Sequence, residues 1–119
     1  MKHNQSLEDY LESVLTLSWE NAVVHRIDVA KKMNVSQAAV NKAVKILVEK
    51  GFVYEDGKHL YLTQNGKTYA EGVYEKHCTI RDFLSALGVS APRAEEDACK
   101  LEHLVSEETF SAMQKFLQK

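Results

Sequence analysis

Cys99, Glu102 and His103 stand at i, i+3 and i+4. On a helix, that spacing projects a thiol, a carboxylate and an imidazole from one face. Glu95 lies a further turn back on the same side. Near the other end of the chain, Asp9 and Glu12 are three apart and share a face in the same way. His77 interrupts an otherwise apolar row of Val73, Ile80 and Leu84. Carboxylate, imidazole and thiolate form the donor set of a divalent transition metal, and helices that each turn ligands inward are how bundles build metal sites. Each fragment also has a plainer role. Asp9 and Glu12 near a helix start favour its dipole, and Cys99 can act as a small core residue. A lone histidine on an apolar face is more often a hydrogen-bonded core residue than a ligand. Spacing alone leaves both readings open.

A second constellation sits between these. Gln37 and Asn41 are four apart and so share a helix face; amide side chains of this kind bond adenine edges in a bidentate way. Ser36, Ala38 and Lys42 belong to the same turn. Lys42, Lys45 and Lys58 are suited to phosphates, which position a protein without reading sequence. Arg26 joins this set as a further cation of the same stretch. The plain alternative is the solvated polar face of a small helical bundle.

The hydrophobic period supplies elements to carry these residues. Leu7, Leu11, Val14 and Leu15 predict a helix over 7–20 with Ser6 as its N-cap. Arg26 to Met33 reads as a short second helix with Ile27, Ala30 and Met33 inward. Asn34–Val35 interrupts it, and Ser36 caps a third helix, 37–49, with Val40, Val44, Leu47 and Val48 on one face. Gly51 follows as a C-terminal cap. The period then changes to two: Phe52–Val53–Tyr54 and Leu60–Tyr61–Leu62 flank Asp56–Gly57, a hairpin turn pair. A long helix is expected over about 65–87, ending at Gly88. Ser90 and Pro92 open a fifth, to about 105, and Ser106 caps a sixth carrying Phe110, Met113 and Leu117. Helix, helix, turn, helix and tight hairpin is the order of a winged helix-turn-helix, in which 25–33 support and 37–49 enter the major groove. The expected class is mainly α: a winged helix-turn-helix with a two-stranded β wing in residues 1–63, then a helical domain in 64–119.

Composition agrees with such a protein. The 119 residues are 45% hydrophobic and 27% charged, with one proline and five glycines, which excludes disordered and low-complexity classes. No apolar run approaches the roughly 18 residues of a membrane span. MKHNQSLEDY has no signal-peptide core, so a cytoplasmic protein with reduced Cys78 and Cys99 is expected. The net charge of −2 argues at first against a polyanion partner. Its distribution removes the objection. Residues 22–67 hold eight basic and four acidic side chains, whereas the flanking segments are each net −3. A basic patch steers a polyanion locally, because charges are screened over about 8 Å at physiological salt.

The strings LEDYLESVLTL, VSQAAVNKAVKILVEKGFVYEDGKHLYLTQNGK and EEDACKLEHLVSEETF resemble the iron- and manganese-dependent repressor family. That family includes the diphtheria toxin repressor and the manganese transport regulators. The resemblance covers nearly the whole chain. It implies a homodimer whose N-terminal winged helix binds palindromic operator DNA and whose later helices bind metal and dimerise, with Mn²⁺ or Fe²⁺ as co-repressor in metal homeostasis. By this resemblance the metal ligands are Asp9, Glu12, His77, Cys99, Glu102 and His103. The chain mixes two family patterns, with the hard ligand of the manganese type at Asp9 and the soft ligand of the iron type at Cys99. Glu95 falls where the iron type has a histidine of a second metal site, and Arg81 where it has a carboxylate; a complete iron-type second site is therefore not expected, although Glu95 could partly substitute as a second-site ligand. The C-terminal barrel of longer iron-type members does not follow, so no regulation through it is expected. Zn²⁺ or Co²⁺ should also bind in vitro, since affinity rises along the first-row series. No membrane partner and no enzyme activity are expected, because no HExxH helix or nucleophile–base arrangement is present. The alternative is a metal-independent winged-helix repressor responding to a small ligand, with His77 and Cys99 as core residues.

Overall fold

The computed structural model describes residues 6–119. The chain divides into two compact units, one through Glu71 and one from Gly72 to Lys119. The first unit opens with α1 (Leu7–Glu20). Ser6 caps it: its hydroxyl accepts from the Asp9 N–H, and the Asp9 carboxylate accepts from the Ser6 N–H, a reciprocal capping box. Next come β1 (Val24–His25), α2 (Arg26–Met33) and α3 (Gln37–Glu49). Asn34 links the two helices in the left-handed region, φ 56°, a conformation that asparagine tolerates. The Val35 N–H then bonds the Ala30 carbonyl, which closes α2. Ser36 caps α3 by accepting from the Ala39 N–H at 3.1 Å.

Gly51, at φ 81°, ends α3, and the Gly51 and Phe52 N–H groups bond back to Val48 and Leu47, a Schellman motif. The wing follows as β2 (Val53–Asp56) and β3 (His59–Leu62). Its loop is Gly57–Lys58, one residue later than expected, because Asp56 still pairs with His59. Only Gly57 has positive φ in that loop, the pattern of a II′ turn with glycine first. The wing hairpin is two-stranded as expected, and β1 adds a third strand by pairing with β3, giving the order β1-β3-β2. Two residues are too few for a period to show.

The core of this unit is formed by Leu11, Val14 and Leu15 of α1, Val29 and Ala30 of α2, Val40, Ala43, Val44 and Leu47 of α3, and Val24, Val53 and Leu60 of the sheet. Two expectations fail here. Ile27 is 42% and Val48 40% exposed; Val29 and Ala43 take the inward positions instead. A helix of eight residues admits more than one apolar stripe, and only its packing partners choose between them.

α4 (Gln64–Ala86) begins in the first unit and continues into the second. Gly66 near its start is obligatory, since a Cβ there would lie 1.8 Å from the Phe52 carbonyl oxygen. The second unit adds α5 (Ala91–Leu101) and α6 (Glu107–Leu117). Pro92 lies in the first turn of α5, and the Ser106 hydroxyl accepts from the Thr109 N–H at the start of α6. α5 ends four residues short of expectation. Leu104 N–H bonds Leu101 at 2.9 Å, so residues 102–104 form a tightening turn rather than helix. Phe83 and Phe116 meet edge to face at 5.4 Å, tying α4 to α6. No described helix is long and apolar enough to cross a membrane.

Candidate metal centre and nucleic-acid interface

In the second unit, α4 places Val73, His77 and Ile80 on a buried face, and α5 places Ala94 and Ala98. His77, only 4% exposed, is held by carboxylates on both ring nitrogens. Its Nδ1 lies 2.8 Å from Glu102 Oε1 and its Nε2 2.5 Å from Glu95 Oε2. Cys99 also bonds the ring, and that bond, then the one to Glu102, pushes the His77 pKa up to about 11. A ring bonded at both nitrogens to carboxylates carries a proton on each. Without metal, these contacts favour the imidazolium form of His77.

Glu102 is 2% exposed. It lies at the C-cap of α5 with helical dihedrals (φ −58°, ψ −24°), so it still projects one turn beyond Cys99 although the helix ends at Leu101. His103 Nε2 lies 3.7 Å from Glu102 Oε2. One donor atom from each of His77, Cys99 and Glu102 falls within 4.8 Å of the others. This is the nitrogen, sulfur and oxygen set that a divalent transition metal takes, so the residues fit such an ion. Glu95 reaches the cluster only through His77, and its other oxygen lies 3.8 Å from Arg81 Nη1. The structure therefore brings together His77, Cys99, Glu102, His103 and Glu95 within the second unit. Asp9 and Glu12 belong to the first, where Asp9 is 9% exposed in the α1 capping box and Glu12 is half-buried.

The candidate DNA-contacting residues lie on the first unit. Ser36, Gln37, Ala38, Asn41, Lys42 and Lys45 are all exposed on or just before α3, and Lys58 is exposed in the wing loop. The Ser36 hydroxyl is engaged as the cap of α3. Arg26 is not free. Its Nη1 donates to Asn41 Oδ1 at 2.8 Å and its Nη2 pairs with Glu55 Oε2. Glu55 escaped notice in the sequence. The available signal was its place two residues after buried Val53, on the same face of β2.

A winged helix followed by a helical unit with clustered transition-metal donors defines a metal-responsive DNA-binding class. Residues 3–60 match the family model "Iron dependent repressor, N-terminal DNA binding domain", and residues 63–119 match "Iron dependent repressor, metal binding and dimerisation domain". The chain belongs to the iron-dependent repressor family, a family of transcriptional regulators. An uncharacterized HTH-type transcriptional regulator of Methanocaldococcus jannaschii is 37% identical over 98% of this chain and 95% of its own length. The transcriptional regulator MntR of Escherichia coli is 36% identical over 95% of this chain and 74% of its own. Among solved structures, the manganese regulator SloR superposes with a TM-score of 0.87 at 34% identity, covering 98% of this chain and 55% of that one. The IdeR of T. acidophilum shares the fold with a TM-score of 0.89 at 22% identity, covering 99% and 56%. The chain thus spans about half the length of these solved relatives.

Proposed function

We propose that this chain is a metal-responsive repressor of metal-ion homeostasis, acting as a homodimer. Residues 1–63 bind palindromic operator DNA, and residues 64–119 bind metal and dimerise. The observation that carries this reading is the convergence of His77, Cys99 and Glu102 donor atoms within 4.8 Å, in a chain that also carries an exposed, lysine-bearing α3. The proposed ligands are Asp9, Glu12, His77, Cys99, Glu102 and His103; Asp9 and Glu12 are included for their donor chemistry and the family resemblance. Mn²⁺ or Fe²⁺ is the proposed effector, with Zn²⁺ or Co²⁺ also binding in vitro. When bound, the ion supplies positive charge that offsets the acidic donors and holds them in one arrangement.

The chain's own residues set the terms of the switch. His77 must surrender a proton, and with it at least one of its two carboxylate contacts, before it can act as a donor. Glu95, paired with Arg81, can keep one nitrogen of the ring fixed while the other turns to the ion, as outer carboxylates do for metal-bound histidines. We therefore assign Glu95 to ring orientation ahead of a second metal. On α3, Gln37 and Asn41 read base edges, Ser36 and Ala38 line the approach, and Lys42, Lys45 and Lys58 meet phosphates. Metal and DNA affinities are then reciprocally coupled, typically by about 1–3 kcal/mol.

The test is a gel-shift titration of DNA selected from a random pool by the Mn²⁺-loaded protein, repeated with Fe²⁺ and with a chelator. Tighter binding with metal is expected. Equal affinity in all conditions overturns the co-repressor reading in favour of a metal-independent repressor.

A further inference from the structure

The three strands align Val24, Leu60 and Glu55 in one row across the sheet. Paired residues of antiparallel strands share a face. Val24 and Leu60 are each 2% exposed, and Glu55 continues their row onto the outer strand, where its side chain stays 34% exposed. There its carboxylate pairs with the Arg26 guanidinium. The position of Arg26 is itself anchored, because it begins α2 directly after β1, and the preceding His25 N–H bonds the Asp28 carboxylate at 2.9 Å. The same guanidinium then donates to Asn41 on α3. Three elements thus converge on one side chain of the DNA-reading helix.

The chemistry of this contact has a direction. Arginine carries donors and no acceptor, so the atom of the Asn41 amide that meets Arg26 must be the oxygen. The Nδ2 donor end therefore faces away from Arg26. A solvent-exposed asparagine without such a partner turns its amide either way round and meets donors and acceptors alike.

Building on the reading of α3 as the recognition helix, we infer that Glu55 and Arg26 are specificity-determining positioning residues. Their ion pair holds Asn41 as a fixed hydrogen-bond donor toward the major groove. The base facing Asn41 must then offer an acceptor. Purines offer N7 and thymine O4, whereas cytosine presents only its N4 amino donor. Cytosine is rejected at that position. Arg26 acts through Asn41 rather than as a phosphate contact, because its charge is already matched by Glu55.

The experiment is selection of binding sites from randomised DNA by the full Mn²⁺-loaded chain, for the wild type and for Asn41→Ala, Arg26→Ala and Glu55→Ala. Asn41→Ala locates the base position concerned. The wild type should disfavour cytosine there by about tenfold or more, in the range of a good side-chain–base contact. Arg26→Ala and Glu55→Ala should each reduce that discrimination to about threefold or less, leave the other positions unchanged, and show no further loss when combined. All three side chains lie at the surface, and two independent variants guard against a folding failure in one. If Asn41→Ala shifts base preference while the other two change only overall affinity and its salt dependence, the positioning role is overturned and Arg26 is a phosphate contact. If Asn41→Ala shifts no base preference, the reading of α3 through Asn41 fails, and the inference falls with it.

Discussion

The proposed DNA-facing surface and the proposed metal-ligand cluster are both made of polar residues, but they are built in opposite ways. Gln37, Asn41, Lys42 and Lys45 come from one continuous helix and remain exposed. His77 and Glu102 come from different segments and are 4% and 2% exposed. Exposed contacts work in high dielectric, are screened by salt, and contribute through their number. Buried donors have lost water, so each must be bonded by its neighbours, and loss of one leaves the others stranded. The second region should therefore be brittle to single substitutions and the first tolerant.

The sharpest way to break that contrast is Glu102→Gln, which keeps the shape of the side chain and removes its charge. Metal affinity should fall by about a hundredfold or more, judged against the 10–100-fold losses usual for outer partners. Metal titration checks this, with circular dichroism confirming the fold. A loss under tenfold would mean that the cluster is no more demanding than the surface. Gly66→Ala tests packing rather than charge: the added methyl meets the Phe52 carbonyl oxygen. It should destabilise the first unit by about 3 kcal/mol in denaturant unfolding, without altering metal stoichiometry.

Acidity separates the two regions further. His77 has its pKa raised from 6.5 to about 11 by its bonds to Cys99 and Glu102. In the metal-free protein, that stabilisation is fully present below 6.5 and is lost as pH rises through about 11. An ion that displaces this proton should bind about tenfold more tightly per pH unit over the same window, falling off toward acid. Calorimetry in buffers of different ionisation enthalpy would read the released proton directly. A pH-independent affinity would remove His77 from the ligand set. Smallest in effect, Lys42→Ala should weaken DNA binding several-fold and reduce the salt slope by about one, with metal affinity unchanged. An equal fall in metal affinity would show that the two regions are not separable in this way.

The same difference explains how legible each region was. Helix-borne features follow from spacing: the Ser6, Ser36 and Ser106 caps and the exposed face of α3 were evident from the residues alone. What failed was short or non-local. β1 is two residues long, and the wing turn shifted by one because Asp56 pairs with His59. The apolar face of α2 was misjudged at Ile27, since an eight-residue helix is oriented by its neighbours. In the cluster, Cys99 and Glu102 were linked by spacing. The bond from His77 to Glu95, eighteen residues on, had no local signature.

Residue order therefore determined the helices, their caps, the basic middle segment and the donor types, because each depends on groups within a turn or two of one another. Tertiary structure alone decided that both nitrogens of His77 are occupied, that Glu55 of the wing pairs with Arg26, and that Arg26 grips Asn41 rather than standing free. Those contacts join segments 15 to 29 residues apart. At such separations partner choice is set by the packing of the intervening chain, which no local pattern encodes.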